Sequence, residues 1–171
     1  MESFWSTVTG ASLRQGDYLL NCPVPALPEV FAEAETQTIP FAVYDLIVMT
    51  QSCDLENNKA EFVALCPLYQ LVDFEESNAA FATKGKWEEV RKGRMEGLHL
   101  LGAPNDPTNN RESRVVDFRE IYSLPFDFLG KHAEQQGERL RLKSPFLEHF
   151  SQSFARFFMR VGLPSVIPPF K

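Results

Sequence analysis

The sequence predicts a β-rich α+β domain, built as a small barrel of short strands closed by helices. Three observations predict it. Apolar runs with strand character crowd the front of the chain, strand pattern returns after residue 113, and one strongly amphipathic helix follows. Too few helices alternate with these strands for a doubly wound sheet, so a barrel fits better. With 171 residues, 44% hydrophobic and 23% charged, the chain is expected to form one domain over 1–171.

The elements follow in order. Gly16-Asp17 opens a strand, YLLNCPV, in which Tyr18, Leu20, Cys22 and Val24 share a face by the two-residue period. PALPEVFAEAETQTIP, punctuated by Pro25, Pro28 and Pro40, reads as a connection with a helical turn. FAVYDLIVMT is β-branched and aromatic, and apolar on both faces near its end, as an interior strand is. Asn57-Asn58 supplies turn chemistry, and AEFVALCPL returns as the partner of a hairpin, with Pro67 expected at its end or on an edge.

Residues 73–112 read as a helical insertion plus loop. Trp87, Val90 and Arg94 fall at helical spacing, although Gly85, Gly93 and Gly97 interrupt, and APNDPTNNRES is a loop by composition. VVDFREIYSLP is a strand with Val116, Phe118, Glu120 and Tyr122 on one face, and RLRL is another. The last helix, 144–162, has Ser144 as its cap and Pro145 at its first position. Leu147, Phe150, Phe154, Phe157 and Val161 form its apolar stripe, and Gly162 and Pro164 stop it.

Charge is unevenly distributed. The net charge is −6, but residues 1–78 carry −10 and residues 79–171 carry +4. Lys84, Lys86, Arg91, Lys92 and Arg94 cluster in the basic half, where they suit phosphate or an acidic partner; the plainer reading is a solvated helix face. No apolar run approaches a membrane span, and MESFWSTVTG lacks the basic start of a secretory signal. Three cysteines without a close pair make no disulfide framework, so a reduced, cytoplasmic protein is expected, with no cofactor.

The order GDYLLNCPVP, YDLIVMTQSCDLENNKAEFVALCPLYQL, VVDFREIYSLP, RLRL and a last helix resembles the PemK/MazF superfamily over residues 12–72 and 113–162. The resemblance implies an SH3-like barrel. Its active members are ribonucleases that use an Arg before the second strand and a Thr or Ser after the third. This chain has Ala42-Val43-Tyr44-Asp45 and Leu68-Tyr69 there instead. Cleavage through a 2′-hydroxyl needs a proton acceptor and a cation for the phosphorane charge, and an Asp in the cation's place repels phosphate. Nucleic acid therefore remains open as a partner but is disfavoured. The resemblance further implies a regulatory or partner-holding role in a toxin–antitoxin or phage-defence system.

Three chemistries compete. Cys53, beside Asp54, is a candidate nucleophile with His99 as its base; the plainer reading is a buried thiol beneath a turn, with Asp54 capping backbone amides. Cys22, Cys53, Cys66 and His99 are ligand types zinc favours, but none stand at paired spacing. Phe146 and Phe158, off the helix stripe, and Ile167 and Phe170 in the tail SVIPPFK suggest a protein interface. His132, in a polar loop, and His149, on the polar side of the last helix, read as solvated. The favoured function is a non-catalytic interaction module docking a protein partner or a second copy. The alternatives are a ribonuclease with a relocated site using Arg91 or Arg94, and a thiol enzyme or zinc protein at Cys53.

Overall fold

A computed structural model describes residues 2–26 and 39–159. Its strands are β1 (Trp5–Val8), β2 (Tyr18–Pro25), β3 (Phe41–Val48), β4 (Phe62–Gln70), β5 (Leu98–Leu101), β6 (Arg114–Asp117), β7 (Tyr122–Pro125) and β8 (Arg139–Leu142). Its helices are α1 (Ser52–Glu56), α2 (Leu71–Ser77), α3 (Lys84–Arg91), α4 (Phe126–Gln136) and α5 (Phe146–Phe158).

The barrel does not close. An antiparallel sheet runs β2-β3-β4-β6-β5, with β7 also on β4, and β1 and β8 form a separate ribbon. A single bridge, Asp17 to Arg141, stitches that ribbon to the start of β2. β1 and β5, the outer strands of ribbon and sheet, do not pair with each other. Side chains span the seam instead. The Trp5 indole donates to the Gly102 carbonyl at 2.8 Å, and the Phe4 ring lies where a side chain on Gly102 would be. The architecture is a mixed α+β domain around an open antiparallel sheet.

β4 organises that sheet. One edge holds β3 through Leu65–Pro67; the other takes β7 along Phe62–Leu65 and β6 along Leu68–Gln70. Pro67 lies inside the strand, not at its end, in the break between the β7 and β6 pairings. A residue without an N–H is tolerated there because no ladder bond is required on that side.

Both faces of the sheet are covered. Leu19, Leu46, Val48 and Leu65 pack with Leu129 and Ala133 of α4, while Ile47, Cys66, Val116 and Phe118 pack with Phe150 of α5. A third cluster, Phe74, Val90, Leu98 and Val115, seats α2 and α3 on the β5–β6 side. In β2 the simple alternation fails. Asn21 sits at φ 50° and the register slips between Leu19 and Cys22, so Leu20 turns outward at 40% exposure while Cys22 and Val24 point inward.

Gly16 marks the joint between β2 and β8. Its φ is +83°, and a Cβ there would stand 2.9 Å from that of Leu142, so only glycine lets the two strands meet. Directly beyond it, Asp17 is fully buried and accepts from Arg139 Nε at 3.0 Å and from Arg141 Nε and Nη2. Arg139 also donates to the carbonyls of Gly10, at 2.6 Å, and Ser12. These bonds satisfy the buried charges while tying the N-terminal loop to β8.

Several elements differ from expectation. Cys53 lies on the short helix α1, not beneath a turn, and His99 lies on β5, not in the helical insertion. VVDFREIYSLP splits into β6 and β7, and FDFLGKHAEQQ forms α4, on which His132 approaches the Leu20 carbonyl at 2.9 Å. The stretch 27–38 and the helix end at Val161, Gly162 and Pro164 lie outside the described residues.

Candidate functional site

The cleft at the unclosed seam brings together more of the polar residues singled out above than any other place. Its cavity is about 540 Å³. The end of α3 contributes Arg91, Lys92 and Gly93, β5 contributes His99 and Leu100, and α5 contributes Phe146, His149, Gln152, Ser153 and Arg156; Phe4 and Val90 complete the wall.

Local sequence explains each wall. Gly93, at φ +67°, ends α3 and leaves Arg91 and Lys92 at its rim. On α5, Phe150 faces the core, so His149, Gln152, Ser153 and Arg156 fall to the side and outward. The Phe4 and Phe146 rings stack with centroids 3.7 Å apart, which seats the start of α5 across the seam.

Among the described residues the lining includes cations but no carboxylate. Glu88, just outside, is the single counter-charge for two cations: it accepts from Arg91 at 2.8 Å and stands 4.0 Å from Lys92. The Arg91 hydrogen bond holds the Glu88 carboxyl below its usual range. Arg156 makes no ion pair with any described residue. His99 is half-buried, its ring 5.7 Å from Phe150 and 5.9 Å from Phe118. Burial, and then the nearby His149, push it down to about 4.

The remaining predicted residues scatter. Lys84 and Lys86 are exposed on α3 outside the cleft, and Arg94 pairs with Glu89 at 2.9 Å. Cys53 is exposed, which corrects the expectation of a buried thiol; its Sγ lies 3.7 Å from Gln51 Oε1 and 3.9 Å from Asp54 Oδ1. His99 lines the seam cleft, so the two do not form a nucleophile–base pair. Asp54 makes no cap, because it sits inside the first turn of α1.

The cysteines do not converge either. Cys22 packs with the α4-side core and Cys66 with the α5-side core, on opposite faces of one sheet. Among the described residues no group of three or more metal-binding side chains exists. Burial pushes the Cys22 thiol up to about 11 and the Cys66 thiol up to about 12, as inert packing groups.

Phe146 is half-covered by Phe4, and Phe158 is 57% exposed beside Phe154 and Phe157. Ile167 and Phe170 lie outside the described residues. Phe4, His149, Gln152, Ser153 and Arg156 were missed as site residues. The one available signal was the helical spacing of His149, Gln152, Ser153 and Arg156, which places them on one side of α5. None of the helices among the described residues is long and apolar enough to cross a membrane.

Fold and cleft define a class of protein: an α+β domain with an open antiparallel sheet and a cationic cleft at its seam. In comparison with known proteins, no family model and no curated sequence matches the chain.

Proposed function

We propose that the protein is a non-catalytic interaction module that holds an anionic group of its partner in the seam cleft. One observation carries this reading. Arg91, Lys92, His99, His149 and Arg156 converge on a single cavity that no carboxylate among the described residues lines, while the rest of a chain of net charge −6 is predominantly acidic. Like charges gathered at a cavity rim repel one another and are relieved by a counter-ion. The PemK/MazF-like order of segments, and with it a toxin–antitoxin or phage-defence setting, belongs to this proposal as the origin of a cylinder now left open at one seam.

The test is NMR shift mapping of the full chain with inorganic phosphate. Millimolar phosphate should move the amide signals of residues 91–93, 99 and 149–156. The pair Lys92→Glu and Arg156→Glu should abolish this while changing stability by no more than about 0.5 kcal/mol, since both are exposed. Silence at the cleft would sink the reading.

A second reading has one specific observation behind it. Two histidines beside a lysine and two arginines supply acid, base and cation for 2′-hydroxyl cleavage of RNA. It ranks second because residues 1–78 carry −10, which repels a polyanion. Release of 2′,3′-cyclic phosphate ends from RNA, lost on His149→Ala, would promote it.

A further inference from the structure

Which anion the cleft receives follows from its lining and charge, on the footing that it is an anion site at all. Val90, Leu100 and the stacked Phe4 and Phe146 rings line the same cavity as the cations, so the positive charge gathers around one place. A nucleic-acid track would instead run past, with cations spaced along it. Here Lys92, Arg91, Arg156 and His149 surround one cavity, within which Gln152 adds an amide donor. Ser153 Oγ is already engaged, donating to the His149 carbonyl at 2.9 Å.

That concentration suits a phosphate monoester, which packs nearly two negative charges onto three terminal oxygens. A phosphodiester carries one charge per unit and distributes the rest along a chain. The molecule's own charge selects in the same direction. A polyanion docking at the seam must approach a body of net charge −6, whereas one monoester on a protein surface places its charge only where the cations are. Aromatic walls beside guanidinium and ammonium groups match the way phosphorylated side chains are held by basic clusters.

We propose that the group received by the cleft is the phosphate monoester of a phosphorylated side chain on a protein partner, so that docking is switched by that partner's phosphorylation. The modification supplies the negative charge that Glu88 gives these cations only in part; the cleft supplies the donors and the positive charge.

The experiment is calorimetric titration of the full chain with phenyl phosphate, with methyl phenyl phosphate as the diester of similar size, and with a short blocked peptide carrying phosphotyrosine. Phenyl phosphate and the phosphopeptide should each bind about tenfold or more tighter than the diester. The unphosphorylated peptide should not bind, and the Lys92→Glu, Arg156→Glu chain should lose both ligands while keeping its melting temperature. Monoester and diester binding alike would overturn the inference but leave the anion-site reading standing, because inorganic phosphate would still map to the cleft. A short RNA binding more tightly than the phosphopeptide, with or without a 5′-phosphate, would overturn it in favour of nucleic acid. No response to any of these, inorganic phosphate included, would sink both.

Discussion

Two groups of basic side chains do opposite work in this molecule. At the start of β2, Arg139 and Arg141 reach a fully buried Asp17 and two loop carbonyls, and nearly every donor there has a partner. At the seam, Arg91, Lys92 and Arg156 stand exposed around a cavity, with one glutamate between two of them and, among the described residues, no ion-pair partner for the third. The first group is committed to holding the ribbon on the sheet. In the second, Glu88 holds Arg91, while Lys92 and Arg156 stay solvated. What separates them is burial, since a buried cation without its acid is intolerable and an exposed one is merely solvated.

The largest effect expected is at the knot. Asp17→Asn leaves Arg139 buried without its counter-charge and should cost about 3–5 kcal/mol, read as a drop in chemical-denaturation midpoint. A loss comparable to that of an exposed pair would mean the knot is solvated and the contrast false.

Next comes the histidine in the lining of the cleft. His99 sits down at about 4, below the ordinary value of about 6.5 in an unfolded chain. Folding therefore favours its neutral form. That contribution is complete above about pH 6.5 and is lost as pH falls toward 4, where the unfolded chain takes up the proton first. Thermal stability should fall between pH 6.5 and 5. His99→Phe, which keeps an aromatic ring against Phe118 and Phe150, should flatten that slope. Parallel pH profiles would show that His99 is open to water.

The smallest effect concerns the thiols. Cys53 should react rapidly with a maleimide, whereas Cys22 and Cys66, buried and raised to about 11 and about 12, should react only as fast as the chain opens. Cys53→Ser should leave phosphate binding at the seam unchanged. Loss of binding would place the thiol in the site after all.

Much of the strand content was legible. β2, β3, β4 and β8 stand close to where apolar periodicity put them, Asn58 turns at φ 51° as an Asn in a tight turn can, and Leu147, Phe150 and Phe154 of α5 face the core. Short elements were not legible. LHLL is four residues and FDFLGKHAEQQ carries a glycine, so neither shows a period long enough to read, and tertiary packing decides both. The bulge at Asn21 reversed the faces of β2 because one extra residue flips every later side chain. Of the cleft, Arg91, Lys92, His99 and Phe146 were named from sequence, but under four separate headings.

The sequence by itself determined where the longer strands and the last helix form, because apolar period and turn chemistry are local properties. It also determined that charge is divided between an acidic front and a basic rear. Only the tertiary structure decided that β1 and β5 stop short of each other, since closure depends on how far several strands reach around a common core. That same gap decided which cations gather at a cavity and which are consumed by an aspartate, because opposed charges must meet in space before burial can bind them.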